Sequence, residues 1–182
     1  MTFPKPYADA VAKLRVIAGF VLVVTFAWAS QPDAQSLVLG LPVALLGLLL
    51  RGWAAGHLAK NASLADSGPY AWVRNPLYLG TLTVAAGFAI ASRRWLLAAI
   101  FAAVFLLIYL PVIELEEQHL RKLFPAYAAY ANRVHALMPK PPVTKSATRF
   151  RWVLYRKNQE YQALLGFLVG AAWLLVKLGL GF

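Results

Sequence analysis

The sequence predicts an all-α integral membrane protein with about five transmembrane helices. Of its 182 residues, 60% are hydrophobic, and the mean hydropathy is +0.60. Soluble domains are nearer to half apolar. The apolar residues also fall into long runs, and about 20 consecutive apolar residues are what a helix needs to cross a bilayer.

These runs predict spans near residues 11–30, 37–56, 77–91, 95–113 and 161–181. The first run resembles a signal peptide in position, but it has no small-residue cleavage site and is long enough to span. The turn Ser92–Arg94 is so short that the third and fourth helices must be antiparallel neighbours. We therefore treat residues 1–182 as a single membrane domain, with polar segments at 57–76 and 114–160.

The net charge of +11 has two interpretations. Alone it suggests nucleic-acid binding, but membrane proteins concentrate Lys and Arg on their cytoplasmic side. With the N-terminus in the cytoplasm, all Lys and Arg except Arg93, Arg94 and Lys177 fall on or near that side. We therefore expect membrane lipids and a lipophilic substrate as partners, and no nucleic acid. Without a visible organellar targeting segment, we expect a prokaryotic inner membrane.

The composition argues against several kinds of chemistry. There are no cysteines and only three histidines, so we expect no metal site. No glycine-rich strand-to-helix fingerprint indicates a Rossmann nucleotide site. Ser63 and Ser67 have no identifiable base or acid partner, which disfavours a hydrolytic triad.

The stretch from Ser67 to Gly80, SGPYAWVRNPLYLG, is the most informative part of the chain, and we call it the central stretch. It begins with a Gly-Pro turn signal. Its Asn75-Pro76 step is a second break, because a residue before proline is pushed out of the α region. Proline is well tolerated in a first helical turn, so Pro76 is expected to begin the next apolar helix. The stretch is either a polar, aromatic loop at the mouth of a membrane helix or an interfacial turn with anchoring aromatics.

A second candidate cluster is the acidic end of the fourth span, at Glu114, Glu116 and Glu117. A carboxylate near the hydrocarbon boundary is costly unless it is paired or functional. The simpler interpretations are a solvated helix end for Glu116 and a helical ion pair of Glu117 with Arg121. We expect the helix to continue from Glu114 to about His135.

The segment from Thr144 to Tyr161 is strongly basic and carries Phe150, Trp152 and Tyr155 between its charges. Such a pattern is typical of a membrane-surface segment. It fits either a cytoplasmic anchor or a site for anionic headgroups.

The two clusters together resemble the isoprenylcysteine carboxyl methyltransferase and phospholipid methyltransferase families. The form of the first family motif is Gly-x-Tyr, a spacer, Arg-His-Pro and then x-Tyr, to which GPYAWVRNPLYLG is similar. The second family motif is a pair of glutamates followed by spaced apolar and aromatic residues and a closing proline. Its counterparts here are Glu116, Glu117, Leu120, Phe124, Tyr127, Tyr130, Val134 and Pro139. The resemblance covers roughly residues 40–140.

This resemblance implies methyl transfer from S-adenosylmethionine to a prenylated or phospholipid substrate at the membrane. Carried over by position, the implied cofactor contacts are His57, Ala62, Ser63, Leu64, Ala65, Tyr70, Asn75, Pro76, Leu77, Tyr78 and Glu116. Glu116 would pair with the cofactor ammonium. For the reaction itself, Glu117 is the candidate base for an amine acceptor, and Arg74, Arg121 and Arg51 are the candidates for binding an acceptor carboxylate.

Two positions depart from the family pattern. Asn75 stands where the first motif has histidine, and it cannot become charged. Val112 lies at the position where the isoprenylcysteine enzymes, which this chain resembles, have an arginine for the substrate carboxylate. The acceptor therefore stays open between a carboxylate and an amine. The alternatives to a methyltransferase are a non-catalytic lipid-binding scaffold and a nicotinamide-dependent membrane reductase, and the sequence leaves the oligomeric state open.

Overall fold

A computed structural model describes residues 3–142 and 148–181 of the chain. Within these two ranges every regular element is a helix, which confirms the predicted fold class. The helices are α1 Lys5–Ala29, α2 Ala34–Ala55, α3 Pro76–Ala91, α4 Trp95–Leu123, α5 Tyr127–Arg133, α6 Trp152–Lys157 and α7 Tyr161–Leu180. A single 3₁₀ turn, Gly68–Ala71, lies between α2 and α3.

Four of these helices, α1, α2, α4 and α7, are long and apolar enough to cross a membrane. Helix α3 is apolar but has only 16 residues. At 1.5 Å per residue it is about 24 Å long, which is less than the roughly 30 Å of a bilayer core. Its role as the fifth span stays a prediction.

Helices α2 and α3 are antiparallel and approach each other through glycines. A Cβ atom added to Gly47 would lie 2.6 Å from the carbonyl oxygen of Gly80. A Cβ atom added to Gly87 would lie 2.3 Å from the backbone nitrogen of Ala44. Small residues allow this approach, which membrane helices use because lipid tails leave packing as the main attraction between them.

The turns at residues 30–33 and 92–94 meet at one end of the bundle, which we call the hairpin end. Ser36 Oγ donates to the carbonyl oxygen of Ala91 at 3.0 Å. The buried ammonium of Lys177 donates to the carbonyl oxygens of Ala27, Trp28 and Ser30 at 2.6–3.2 Å. These carbonyls belong to the end of α1, where unsatisfied oxygens and the helix dipole favour a cation.

The first two helices begin earlier than predicted. Residues before the first predicted span, which was placed near 11–30, already belong to α1, which begins at Lys5 after Pro4. Helix α2 begins after Asp33, whose carboxylate accepts from the Ser36 backbone while Ser36 Oγ accepts from the Asp33 backbone. This reciprocal cap satisfies backbone donors at the helix start.

Helix α4 continues past the predicted end of the fourth span at residue 113, as expected, and contains a π turn at Phe105–Tyr109. Pro111 has no backbone N–H, so it cannot donate to the carbonyl oxygen of Leu107 as an α-helix requires. The Tyr7 hydroxyl of α1 donates to that oxygen instead, at 2.6 Å. The contact ties the beginning of α1 to the middle of α4.

The predicted continuous helix from Glu114 to about His135 is wrong, because it breaks after Leu123. Phe124 is extended, with φ −124° and ψ 110°. It precedes Pro125, which sterically disfavours the α conformation for the residue before it. Helix α5 then begins at Tyr127 in a new direction and can return to the central stretch.

Candidate functional site

A cleft of about 900 Å³ opens at the end of the bundle that lies opposite the hairpin end. We call this end the loop end. The wall of the cleft combines one face of α1, the segment 58–65, the beginning of α3 and the second half of α4. The polar segments and the apolar helices therefore meet in one concave surface. Clefts of this size with a few polar groups are typical of small-molecule sites.

Most of the residues selected from the sequence lie in this wall. The cleft contains Ser63, Leu64, Ala65, Tyr70, Arg74, Leu77, Tyr78 and Glu116. The others lie outside it, namely His57, Ala62, Asn75, Pro76 and Glu117. The cofactor contacts predicted for residues of both groups stay predictions, as does the catalytic role predicted for Glu117.

Glu116 presents a half-exposed carboxylate to the cleft, with 49% of its side chain exposed. The Tyr78 hydroxyl donates to its Oε1 atom at 2.8 Å. Arg15 Nη1 lies 3.7 Å from the same oxygen. Glu116 Oε2 has no hydrogen-bond partner in the described part of the chain, so it is available to a cationic ligand.

Tyr70 forms a buried part of the wall. Its hydroxyl is inaccessible and has no hydrogen-bond partner among the described residues. Burial raises the pKa of Tyr70, and the carboxylates of Glu160 and Glu116 raise it further, so the hydroxyl keeps its proton. An unsatisfied buried donor of this kind costs free energy.

Arg51 is fixed at the cleft by a nearly buried partner. Its guanidinium donates to both carboxylate oxygens of Glu160, at 2.6 and 3.0 Å, and to the Thr81 hydroxyl. Glu160 has a side chain only 6% exposed. Because a two-point pair of this kind holds the planar guanidinium in one orientation, Arg51 is a rigid part of the wall.

Glu117 and Arg74 form a second two-point pair behind the cleft. Arg74 Nε and Nη2 each donate to a Glu117 oxygen at 3.0 Å. The Asn75 amide donates to Glu117 Oε1 at 3.0 Å. The expected ion pair of Glu117 with Arg121 is wrong, because Arg121 lies over the Tyr127 ring at 5.4 Å instead. These contacts position the central stretch, and the predicted catalytic roles of Glu117 and Arg74 stay untested.

The central stretch is also held by the segment after α5. The backbone nitrogens of Arg74 and Asn75 donate to the carbonyl oxygens of His135 and Ala136, at 2.8 and 3.1 Å. Arg74 Nη1 donates to two further carbonyl oxygens of this region, those of Ala131 and Val134. The chain after α4 thus clamps the central stretch.

Two buried tyrosines of α5 complete this clamp. The Tyr130 hydroxyl donates to the carbonyl oxygen of Tyr70 at 2.7 Å. The Tyr127 ring packs edge-on against that of Tyr130, with centroids 5.9 Å apart. Burial, with the nearby Glu117 carboxylate, raises the pKa of Tyr127 to about 12. The spaced tyrosines of the second motif therefore support the first motif.

His57 supports the turn that begins the central stretch. Its Nδ1 atom lies 2.9 Å from the carbonyl oxygen of Trp53. A Cβ atom added to Gly68 would lie 2.6 Å from His57 Cδ2, and Gly68 has φ +57°. Both the conformation and the close ring require glycine at this position.

The sequence reasoning missed the contribution of α1 and of the π turn to the cleft. Ala12, Arg15 and Gly19 lie in the wall at a spacing that puts them on one helix face. Tyr109, at the end of the π turn, lies in it as well. The available signal was Arg15 itself, a charge inside the first apolar run.

The basic aromatic segment covers the end of α2. Phe150 packs against Gly56, and the Arg151 backbone nitrogen donates to the Gly56 carbonyl oxygen at 3.0 Å. Trp152 is 69% exposed beside these basic residues. Residues 144–147 of the predicted segment lie outside the described residues. In the described ranges no group of three His, Cys, Asp or Glu side chains could hold a metal ion.

The sequence profile of the phospholipid methyltransferase family matches residues 36–127, about half of the chain. The match covers the cleft from α2 to the beginning of α5. The chain therefore belongs to the phospholipid methyltransferase family, within the isoprenylcysteine carboxyl methyltransferase-like superfamily of membrane methyltransferases. The resemblance inferred from the two motifs is confirmed.

Two curated relatives are similar to the chain. The "Cobalt-zinc-cadmium resistance protein CzcN" of Cupriavidus metallidurans is 34% identical over 115 residues, which are 62% of this chain and 52% of that protein. The "Nickel-cobalt-cadmium resistance protein NccN" of Alcaligenes xylosoxydans xylosoxydans is 30% identical over 143 residues, 75% of this chain and 67% of that protein. The chain thus spans about half the length of the first relative and two thirds of the second. No solved structure matches the chain.

Proposed function

We propose that the protein transfers a methyl group from S-adenosylmethionine to a lipid or lipid-like acceptor at the membrane. The observation that supports this most directly is the half-exposed carboxylate of Glu116 inside the cleft, fixed by the Tyr78 hydroxyl. The family match makes methyl transfer the expected class of chemistry. A reductase has no comparable support from the family match or the cleft.

The residues of the cleft fit this methyl donor. The half-exposed carboxylate of Glu116 suits the donor's ammonium group. The rings of Tyr78 and Tyr109 are 6.1 Å apart, and aromatic faces attract cations such as a sulfonium. When bound, the donor supplies a methyl group on a positively charged sulfur, which makes the methyl carbon electrophilic.

The contribution of the protein is to hold two substrates in line and to exclude water. Fixed side chains in a closed site can supply much of a rate enhancement through positioning alone. The pairs of Arg51 with Glu160 and of Arg74 with Glu117 give the cleft such fixed parts. A lipid acceptor would reach the cleft along α1, where a methyl group added to Gly19 would meet no atom within 4 Å.

The test is calorimetric titration of the protein in lipid nanodiscs with S-adenosylmethionine and S-adenosylhomocysteine. We expect micromolar binding by the wild type. Glu116→Gln should weaken binding by at least about tenfold, because it removes a charge-assisted hydrogen bond worth roughly 1.5–3 kcal/mol. Glu114→Gln is the matched control, since Glu114 lies on the same helix outside the cleft wall and should retain the wild-type affinity.

Failure of folded wild-type protein to bind either compound would overturn the proposal and favour the lipid-binding scaffold. If binding is found, transfer of a radiolabelled methyl group to a membrane lipid extract identifies the acceptor. If S-adenosylmethionine binds but no methyl group is transferred to any lipid fraction, the proposal of a lipid acceptor is contradicted and only the proposed cofactor binding is retained.

A further inference from the structure

Arg15 brings a charge to the cleft from outside the family-matched segment 36–127. It lies on α1, on the face that also presents Ala12 and Gly19 to the cleft. Its Nη1 atom lies 3.7 Å from Glu116 Oε1. The residue therefore adds a charge to the site from a helix that the family match does not cover, and it lies beside the carboxylate assigned to the methyl donor.

The other arginines of the cleft are already occupied. Arg51 is bound by Glu160, and Arg74 is bound by Glu117 and two carbonyl oxygens. The contact of Arg15 with Glu116 is longer than a hydrogen bond, and their side chains are 43% and 49% exposed. Because exposed ion pairs contribute little, Arg15 can leave Glu116 at small cost.

We propose that Arg15 is a specificity-determining residue that changes partners. The donor's ammonium displaces Arg15 from Glu116, and the freed guanidinium then binds the anionic group of the lipid acceptor. This inference rests on the proposed function and adds to it a coupling between the two substrates. The anionic group is a phosphate or a carboxylate, both of which a guanidinium binds well.

The position of Arg15 on α1 supports the second partner. Helix α1 is fixed to α4 at Tyr7 and to the hairpin end at Phe26, whose ring packs against Phe88. Between these contacts the cleft follows α1 past Val16, which is 61% exposed, to the open space at Gly19. An acyl chain lying there would bring its headgroup to Arg15.

The exchange makes the two binding events cooperative. A ligand that removes Arg15 from Glu116 leaves a guanidinium without its counterion, and that guanidinium then favours an anion. Thermodynamic linkage requires the reverse as well, so an anionic lipid on Arg15 must strengthen donor binding. Donor affinity therefore reports on the acceptor site without any turnover.

The first arm measures binding of S-adenosylhomocysteine to Arg15→Gln in nanodiscs of phosphatidylcholine. We expect about two- to fivefold tighter binding than in the wild type, because the competitor for Glu116 is gone and an exposed pair is worth up to about that factor. Lys13→Gln is the matched control, since it removes an exposed charge from α1 outside the cleft wall. Weaker binding in Arg15→Gln would overturn the exchange.

The second arm adds phosphatidic acid or oleate to the nanodiscs, as sources of a phosphate and of a carboxylate. With one of these two lipids present, wild type and Lys13→Gln should bind S-adenosylhomocysteine at least about threefold more tightly than in phosphatidylcholine alone. The affinity of Arg15→Gln should not change. The lipid that acts identifies the anionic group. An equal response in Arg15→Gln, or none in the wild type, contradicts the proposal. Complete absence of S-adenosylhomocysteine binding by the wild type would instead refute the proposed function, and this inference with it.

Discussion

Glu116 and Glu117 are neighbours in the chain with opposite surroundings. Successive residues of a helix point about 100° apart. Glu116 therefore faces the cleft with half of its side chain exposed, while Glu117 faces the central stretch with 15% exposed. The carboxylate of Glu117 already accepts three hydrogen bonds, two from Arg74 and one from Asn75. To act as a base it would have to give up part of this pairing.

We predict that Glu117 and Arg74 are coupled in stability. Glu117→Gln and Arg74→Gln should each lower the free energy of unfolding, because either change leaves a mostly buried charge without its partner. The double variant should lose less than the sum, with a coupling of about 1–3 kcal/mol. Denaturant unfolding in detergent measures it.

Arg121→Gln provides the matched control for this cycle. Arg121 is one helical turn from Glu117 but contacts the Tyr127 ring. Its effect should therefore add to that of Glu117→Gln within about 0.5 kcal/mol. If the stability losses of Glu117→Gln and Arg74→Gln were simply additive, the two residues would not form a clamp. Loss of turnover in Glu117→Gln at unchanged stability would argue that Glu117 is a base.

At the scale of elements, two features set where the cleft lies. The glycines of α2 and α3 bring these helices close enough for Arg51 to pass beside Gly80. The π turn in α4 accommodates one extra residue, which rotates the rest of the helix relative to a regular α-helix. The orientation of Glu116 toward the cleft therefore depends on the irregularity near Pro111.

The close approach of α2 and α3 makes a prediction about their glycines. Gly87→Ala should lower the free energy of unfolding by about 1–3 kcal/mol, because the added methyl group overlaps backbone atoms of Ala44. Gly166→Ala in α7 is the control, since its methyl group meets no atom within 4 Å. It should change stability by no more than about 1 kcal/mol. Equal effects would mean that α2 and α3 do not pack as described.

At the scale of the whole molecule, the two ends of the bundle differ in the charged residues that they carry. The loop end carries the cleft, Glu116 and the basic residues of α6. The hairpin end carries Arg93, which pairs with Asp33, and the buried Lys177. Because membrane proteins keep their basic residues on the cytoplasmic side, we predict that the loop end is cytoplasmic.

Single-cysteine labelling tests this orientation, because the chain has no cysteine of its own. In intact bacterial spheroplasts, a membrane-impermeant maleimide should label Arg94→Cys at the hairpin end. It should label Lys122→Cys, which is exposed at the loop end, only after lysis. Labelling in the opposite order would reverse the topology and place the cleft outside the cell.

The sequence by itself determined the class of fold and the family. Long apolar runs specify helices that cross a bilayer, and proline steps such as Asn75-Pro76 specify where a helix begins. Both are local properties of the chain. The two family motifs could likewise be recognised without coordinates, and α5 brings their tyrosines together as buried partners.

Only the tertiary structure decided which charges meet. Arg15 reaches Glu116 across about one hundred residues of chain, and Glu117 takes Arg74 as its partner in place of Arg121. Helical spacing predicts neighbours within one element, but a partner from another element depends on how the helices pack. That packing follows from the small residues between α2 and α3, the π turn of α4 and the break at Phe124.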